Sequence, residues 1–166
     1  MKNSINIKNI DAFIFDFDGV LTDNKVYVSQ EGIESVMCSR EDGLAFDVLK
    51  KVTNHIFILS SEKNKIVKSR ARKLGISSIS GSRDKKKDIL KISKINNFNL
   101  KNTMYIGNDL NDYFAMKMCG LRVCPNDSHV KIRKLAQIRL KKNGGNGVVR
   151  EIVEDLLNID FLKYIS

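Results

Sequence analysis

Two aspartates separated by one residue, Asp16 and Asp18, directly follow an apolar run and precede a glycine. The run, residues 12–15, is apolar at every position, which is typical of a central strand buried on both faces of a parallel sheet. Carboxylates at the end of such a strand are costly to bury unless a cation compensates their charge. The pattern therefore predicts cation-dependent chemistry at this edge of the sheet, where open α/β sheets bind ligands. The alternative is a solvated acidic turn.

Three further segments could bring polar groups to the same edge. Ser60 ends a second apolar run and precedes a helix, whose first N–H groups can bind an anion. Lys85 opens another helix, and residues 107–112 combine a glycine turn with amides and acids that suit a cation. The oxygen-bearing candidates in that turn are Asn108, Asp109 and Asp112. Taken singly, each segment has an ordinary alternative: a helix N-cap, a solvated lysine and a capped helix start.

The elements that must position these groups alternate between strand and helix patterns. Strands are predicted at 12–15, 55–59, 76–80, 103–106, 121–124 and 137–140, and helices at 44–52, 62–74, 84–95, 110–119, 129–136 and 148–157. Residues 24–38 contain two short alternating runs around a glycine turn, which predicts a β-hairpin. The alternation predicts an α/β fold with a doubly wound, Rossmann-like parallel sheet. We expect residues 1–166 to form one domain, with the hairpin as its only large excursion.

Composition and charge narrow the class of protein. The chain has 166 residues, 42% of them apolar, which is enough for a sizeable core. No apolar run approaches the roughly 20 residues that cross a bilayer, and no signal-peptide core is present, so we expect a cytoplasmic protein without a membrane partner. The net charge of +10 suggests nucleic acid, but the lysines are dispersed and the aromatics, 7% of residues, form no stacking pattern. We therefore expect no nucleic-acid partner.

Together the four segments resemble the four motifs of the haloacid dehalogenase superfamily of phosphotransferases. Asp16 and Asp18 resemble the first motif, Ser60 the second, Lys85 the third and residues 107–112 the fourth. The resemblance implies a Mg²⁺-dependent phosphatase in which Asp16 attacks phosphorus and becomes an aspartyl phosphate, while Asp18 acts as acid and base. The implied catalytic residues are Asp16, Asp18, Ser60 and Lys85, and the implied metal ligands are Asp16, Asp18, Asn108, Asp109 and Asp112.

Position 108 departs from the family pattern, in which the fourth motif usually begins Gly-Asp-Asp. Asn108 offers a neutral amide where the family has a carboxylate metal ligand. Either Asn108 binds the metal or Asp109 replaces it. We expect an active enzyme, since the other motif residues are present. The alternative is a catalytically weak or inactive relative that oligomerises with a sugar-activating enzyme.

The chain is most similar in organisation to capless members of the superfamily, because no large insertion separates the first two motifs or follows Ser60. These are the 3-deoxy-D-manno-octulosonate 8-phosphate phosphatases and the nonulosonate (sialic-acid-type) 9-phosphate phosphatases. The similarity includes Leu-Thr-Asp at 21–23, Asp-Gly at 42–43 and residues 144–151. It implies a homotetramer whose hairpins act as flaps and whose neighbouring subunits complete each site. The tail, residues 158–166, is a candidate to reach such a neighbour, and a monomer is the alternative.

The residues after Ser60 distinguish the two substrates of that group. Octulosonate enzymes typically have Thr-Gly-Arg there and nonulosonate enzymes Thr-Gly-Glu-Asn, whereas this chain has Ser-Ser-Glu-Lys-Asn at 60–64. Glu62 therefore favours a nine-carbon 2-keto-3-deoxy sugar acid 9-phosphate as the small-molecule substrate, with the octulosonate 8-phosphate as the alternative. Arg70 and Lys73 could meet the carboxylate of a neighbour's substrate. The full set of candidate substrate-binding residues is Thr22, Ser61, Glu62, Arg70, Lys73 and Arg150.

Overall fold

A computed structural model describes residues 5–164 and contains one large sheet and one small hairpin. The strands are β1 (Ala12–Phe15), β2 (Tyr27–Val28), β3 (Glu34–Ser35), β4 (Ile56–Leu59), β5 (Ser77–Ile79), β6 (Thr103–Ile106), β7 (Leu121–Cys124) and β8 (Ile138–Arg139). Six of them form a sheet in the order β5-β4-β1-β6-β7-β8, and every pairing in it is parallel. Strands β2 and β3 pair antiparallel as the separate hairpin.

Helices connect the strands as the sequence alternation predicts. They are α1 (Arg40–Leu49), α2 (Lys65–Leu74), α3 (Lys85–Asn96), α4 (Tyr113–Met118), α5 (Val130–Leu135) and α6 (Val148–Glu151). The predicted α/β fold with a parallel sheet is confirmed. Within residues 5–164, no helix is long and apolar enough to span a membrane.

Three helices have bounds that differ from those that the apolar spacing predicts. Helix α1 starts four residues before its predicted start, because the Ser39 hydroxyl caps it by accepting from the backbone N–H of Glu41 at 3.1 Å. The predicted helix 110–119 divides into a 3-10 turn (Leu110–Asp112) and α4, because Asp109 and Asp112 form a capping box. The predicted helix 148–157 is α-helical only to Glu151 and continues as a π-helical turn (Ile152–Leu156).

Strand β1 lies at the centre of the molecule, and its alternate side chains enter two apolar clusters. Phe13 and Phe15 pack in the cluster under α1 and α6, whereas Ala12 and Ile14 pack in the cluster on the opposite face. All four side chains are fully buried, as expected for a strand covered on both faces. In the sheet register, Phe15 pairs with Ile58 of β4 and with Ile106 of β6. The segments that follow these three strands therefore begin at the same edge of the sheet.

Asp42 connects α1 to the start of α6. Its Oδ1 atom accepts hydrogen bonds from the backbone N–H groups of Val149 at 2.8 Å and Arg150 at 3.2 Å. The side chain is buried, and its Oδ2 atom has no hydrogen-bond partner. Burial raises the pKa of Asp42 to about 6, although the two backbone N–H groups act in the opposite direction. Asp42 thus fixes the start of the last helix through two hydrogen bonds. At neutral pH its buried negative charge lowers the stability of the folded protein.

This burial predicts a pH dependence of stability that can be assigned to Asp42. Its folded-state pKa of about 6 lies above the ordinary value of 3.8, so between these pH values the folded protein retains a proton that the unfolded chain has lost. The contribution of Asp42 to the free energy of unfolding is therefore greatest below the unfolded pKa and falls as pH rises through the folded one. Between about pH 4 and about pH 7, we expect the wild type to lose on the order of 2–3 kcal/mol relative to Asp42→Asn. Urea unfolding of both metal-free proteins across this range measures the difference, and parallel pH curves would contradict it.

Candidate active site

The ends of β1, β4 and β6 open into a cleft of about 430 Å³. The segment that follows each strand contributes residues to its wall. Seven of the predicted site residues line this cleft: Asp16, Asp18, Ser60, Ser61, Glu62, Asn108 and Asp109. Asn24, Leu110 and Asn111 line it as well and were not predicted. The sequence motifs are thus brought together by the sheet register.

Asp16 is held at the bottom of the cleft by its strand. Its backbone N–H donates to the Ile106 carbonyl at 2.9 Å, and the residue is only 3% exposed. The Oδ1 atom accepts from the backbone N–H of Phe17 and from the Lys85 ammonium, each at 2.7 Å. Burial and the Asp112 carboxylate raise the pKa of Asp16 to about 8, against the lowering effect of Lys85. One lysine is therefore insufficient to compensate the charge at this position, and further positive charge would favour the carboxylate.

Lys85 is shared between two buried carboxylates. Its Nζ atom lies 2.7 Å from Oδ1 of both Asp16 and Asp112. Burial alone would lower the pKa of Lys85, but the two carboxylates outweigh burial and the pKa is raised. Asp112 Oδ1 also accepts from the Tyr105 hydroxyl at 2.9 Å, and its Oδ2 accepts from the backbone N–H of Asn108 at 2.9 Å. Both oxygens of Asp112 are engaged and the residue does not line the cleft, so the structure places it as a partner of Lys85, and its role as a metal ligand stays a prediction.

Thr22 is placed behind the cleft rather than in it. Its side chain is fully buried, accepts from the backbone N–H groups of Gly19 and Asn24 at 3.2 Å, and donates to Asp18 Oδ1 at 3.5 Å. The structure thus gives this hydroxyl partners in its own loop, and contact of Thr22 with substrate stays a prediction. Burial and then the neighbouring Glu62 carboxylate raise the pKa of Asp18. This environment favours the protonated form that a general acid requires.

The two candidate ligands in the fourth segment are in different environments. Asn108 is 6% exposed, and its Oδ1 atom is buried without a hydrogen-bond partner. Asp109 is exposed, and its Oδ1 atom accepts from the backbone N–H of Leu110 at 2.7 Å as part of the capping box. A buried amide oxygen without a partner is costly unless something binds it. Asn108 is thus the better placed of the two to bind a cation.

The groups around Asn108 fit a hard divalent cation. Asp16, Asp18 and Asn108 line one cleft and offer only oxygen ligands, which Mg²⁺ prefers. No three His, Cys, Asp or Glu side chains converge as metal ligands anywhere in the described part of the chain. A metal ion at this edge would have the Asn108 amide available in addition to Asp16 and Asp18.

Comparison with known proteins identifies the family. Residues 48–152 match the model of the haloacid dehalogenase-like hydrolases. The 3-deoxy-D-manno-octulosonate 8-phosphate phosphatase of Escherichia coli K12 is 30% identical over 154 residues, which span 90% of this chain and 80% of that protein. The chain belongs to the haloacid dehalogenase-like hydrolases. It is a phosphatase of this superfamily, related to the octulosonate 8-phosphate phosphatases.

Solved structures support the same relationship for this haloacid dehalogenase-like hydrolase. The octulosonate 8-phosphate phosphatase of Moraxella catarrhalis, in complex with a magnesium ion, a phosphate ion and a KDO molecule, superimposes with a TM-score of 0.86 at 32% identity. The match covers 91% of this chain and 87% of that chain. A haloacid dehalogenase family hydrolase from Streptomyces avermitilis gives a TM-score of 0.92 at 32% identity, covering 97% of this chain and 92% of that chain.

In this haloacid dehalogenase-like hydrolase, the loop after β4 forms the wall opposite Asn108. Ser60 is 1% exposed, and its hydroxyl accepts from the backbone N–H of Glu62 at 3.0 Å. The Ser61 hydroxyl accepts from the Asn111 side chain at 3.2 Å, which ties this loop to the fourth motif. Glu62 is exposed at the rim, where it also lines a smaller cleft of about 210 Å³ beside the hairpin.

Three predicted substrate-binding residues lie away from the cleft of their own chain. Arg70 donates to the Ser39 carbonyl at 2.9 Å, and Lys73 is exposed on α2. Arg150 lines a separate cleft, where its Nε is 2.7 Å from Glu154 and its guanidinium lies 4.0 Å from the Phe161 ring centroid. Action of Arg70 or Lys73 on a neighbour's substrate stays a prediction. Phe161 belongs to the tail, whose residues 158–164 are described next to their own chain, while 165–166 lie outside the described residues.

Tyr105 is the clearest site residue that the sequence did not reveal. It lies in the apolar strand β6 and is fully buried, so its ring alone would pass for a core side chain. Its hydroxyl, however, donates to Asp112. A buried phenol normally needs such a partner. This requirement could have indicated from the sequence that Tyr105 has a polar neighbour. Asn24 and Asn111 could have been noticed only from their proximity to the first and fourth motifs.

Proposed function

We propose that this protein is a Mg²⁺-dependent phosphatase that hydrolyses the phosphomonoester of a 2-keto-3-deoxy sugar acid, with 3-deoxy-D-manno-octulosonate 8-phosphate as its substrate. The observation that carries the proposal is the contact of 2.7 Å between Lys85 Nζ and Asp16 Oδ1 at the bottom of a cleft lined by Asp18, Ser60 and Asn108. The relationship to octulosonate 8-phosphate phosphatases supports the substrate class.

The proposed reaction has two displacements at phosphorus. An oxygen of Asp16 attacks and forms an aspartyl phosphate as the bond to the ester oxygen breaks, and Asp18 donates its proton to that departing oxygen. Water then attacks the same phosphorus, Asp18 takes up a proton from the water, and the acyl–phosphate bond breaks to give inorganic phosphate and free Asp16. Lys85 and the Ser60 hydroxyl are near enough to the cleft floor to stabilise charge on the transferring group.

Asp16, the backbone carbonyl of Asp18 and the Asn108 amide would hold the magnesium ion, so that the Asp18 carboxyl group stays available as acid and base. When bound, Mg²⁺ supplies the positive charge that lets an anionic ester approach an anionic nucleophile. Asn108 offers this site a buried oxygen without another partner. The amide contributes less charge than a carboxylate, so we expect weaker metal binding than a carboxylate at this position would give.

Replacing Asn108 with aspartate is expected to lower the Mg²⁺ concentration for half-maximal activity by about tenfold, because it adds a formal charge at the metal site. Calorimetric titration with Mg²⁺ measures the same change without turnover. Asn111→Asp is the matched control, since Asn111 lines the same cleft but is exposed and bonded to Ser61. Equal shifts in the two variants would indicate a general charge effect and would argue against Asn108 as the ligand.

A nonulosonate 9-phosphate is the second candidate substrate. Glu62 lines both the main cleft and the smaller cleft beside the hairpin, so its carboxylate is available to the hydroxyl groups of a longer sugar chain. Measuring kcat/KM for the octulosonate 8-phosphate and the nonulosonate 9-phosphate in parallel decides between them. A preference for the nine-carbon ester that is lost in Glu62→Gln would replace the octulosonate assignment. Absence of turnover with either ester would remove the sugar-acid assignment.

The hairpin supports a homotetramer as the working assembly. Five apolar side chains in this region are at least half exposed: Val26, Tyr27, Val28, Ile33 and Met37. A two-stranded hairpin is marginally stable alone, and an exposed apolar patch of this kind is typical of an interface. We propose that the hairpins of neighbouring subunits pack together.

The double substitution Tyr27→Ser with Ile33→Ser is expected to shift the assembly to smaller species, because it removes apolar area from the proposed contact. Analytical ultracentrifugation measures the change. Leu90→Ser, a comparably exposed apolar residue on α3, is the control and should leave the assembly unchanged. A wild type that sediments as a monomer would refute the tetramer.

A further inference from the structure

Residues 144–147, here called the glycine wedge, press against residues 18–23, here called the Asp18 loop. The backbone N–H of Gly145 donates to the Val20 carbonyl at 3.0 Å. A Cβ atom added at Gly144 would lie 2.2 Å from the Gly19 carbonyl oxygen, and one at Gly145 would lie 2.6 Å from the backbone nitrogen of Asp23. Only glycine permits backbones to approach this closely. The Asp18 loop therefore rests directly on the wedge.

The opposite side of the Asp18 loop is covered by Asn108. A Cβ atom added at Gly19 would lie 1.9 Å from Asn108 Nδ2, so the amide is in contact with the glycine backbone. Within the loop, the Thr22 hydroxyl bonds both the Gly19 N–H and Asp18 Oδ1. The loop is thus confined between Asn108 and the wedge. Through its two hydrogen bonds, the Thr22 hydroxyl couples the position of the loop backbone to that of the Asp18 carboxylate.

The wedge is in turn held from the side away from the cleft. Asp42 is 2% exposed and accepts hydrogen bonds from the backbone N–H groups of Val149 and Arg150, which lie two and three residues after the wedge. At its other end, the Gly144 N–H donates to Asp127 Oδ1 at 3.0 Å. Asp42 does not line the cleft. The wedge connects Asp42 to the Asp18 loop.

We propose that Asp42 and Gly144 are positioning residues for the acid–base step, because together they set the place of the Asp18 carboxylate through the wedge. This inference rests on the proposed function, in which Asp18 protonates the departing ester oxygen. An alkoxide needs that proton, whereas p-nitrophenolate is stable enough to leave without it. Misplacing Asp18 should therefore slow the first displacement, in which the ester oxygen departs, much more for an alkyl phosphate than for p-nitrophenyl phosphate.

The test compares five proteins on two esters: wild type, Gly144→Ala, Asp42→Ala, Asp42→Asn and Gly43→Ala. The alkyl ester is 3-deoxy-D-manno-octulosonate 8-phosphate, or glucose 6-phosphate if the former is not turned over. We expect Gly144→Ala and Asp42→Ala to lower kcat/KM, which reports formation of the aspartyl phosphate, at least about tenfold for the alkyl ester and less than about threefold for p-nitrophenyl phosphate. Asp42→Asn should behave as wild type, because its amide oxygen can accept the same two N–H groups. Gly43→Ala is the control, since its Cβ would meet no atom closer than 3.7 Å.

Hydrogen exchange of the Asp18 loop gives a readout that does not depend on turnover. We expect the amides of residues 19–23 to exchange faster in Gly144→Ala and Asp42→Ala, and at the wild-type rate in Asp42→Asn and Gly43→Ala. Unchanged exchange, equal losses of kcat/KM on both esters, or an Asp42→Asn protein as impaired as Asp42→Ala would each overturn the inference. Asp18→Asn separates the two proposals: if it lowers kcat/KM equally for both esters, the proposed role of Asp18 is wrong, while loop exchange still decides whether the wedge holds it.

Discussion

Replacement of Asp16 by asparagine is expected to lower kcat by about 10⁴-fold or more, because an amide oxygen cannot form the aspartyl phosphate. The fold should be retained. Burial already disfavours the Asp16 carboxylate, and asparagine keeps the size of the side chain while removing its charge. The free energy of unfolding of the metal-free protein should therefore not decrease. Steady-state kinetics and urea unfolding measure the two effects.

Two observations complete the test of Asp16. Asp47→Asn, an exposed aspartate on α1, is the matched substitution and should retain full activity. Rapid quenching of the wild type with substrate should yield a protein heavier by one phosphoryl group, and Asp16→Asn should not. Retention of more than about one hundredth of the activity would contradict a nucleophilic Asp16. If the wild type itself hydrolyses no phosphomonoester with Mg²⁺ present, the result would instead favour the alternative, an inactive partner of a sugar-activating enzyme.

Substitution of Lys85 by methionine should affect both activity and stability. Loss of the ammonium leaves Asp16 and Asp112 as neighbouring buried acids without their cation, which should lower the free energy of unfolding by about 3–5 kcal/mol. Removal of a positive group beside the transferring phosphoryl should also lower kcat by about 10²- to 10³-fold. Lys86→Met is the control on the same helix, because Lys86 is exposed. Denaturant unfolding and kinetics at saturating Mg²⁺ report the two quantities.

A second substitution identifies the cause of the instability. If uncompensated acid is responsible, adding Asp112→Asn to Lys85→Met should restore part of the lost stability without restoring activity. A double variant no more stable than Lys85→Met alone would show that lost packing of the lysine side chain, rather than charge, dominates. The comparison is direct because Lys85 Nζ is equally close to both carboxylates.

The fold was predictable because its strands appear in the sequence as continuous apolar runs. Residues 12–15 have no polar position, and parallel pairing on both sides of β1 is what such a strand requires. Once the sheet is parallel, Asp16, Ser60 and Asn108 must start from the same edge. That part of the candidate site follows from strand order and register, and the apolar runs of the sequence indicate both.

Side-chain direction was not predictable in the same way. Arg70 looked available to a ligand, but the packing of α2 against α1 gives it the Ser39 carbonyl as a partner. The spacing of residues 107–112 could not tell which acid faces the cleft, because the capping box turns Asp109 and Asp112 toward backbone N–H groups. Thr22 was similarly assigned from its place in a motif, whereas its burial depends on the return of the chain at Cys38, which bridges to it.

The double contact of Lys85 bears on how related sequences should be interpreted. A descendant of this enzyme that had abandoned hydrolysis would still need a cation between its first-motif and fourth-motif acids to remain folded. Presence of the lysine in such a homologue is consequently poor evidence of turnover. The residue to inspect is Asp18, which forms no ion pair with any residue between 5 and 164 and could be lost once selection for catalysis is relaxed.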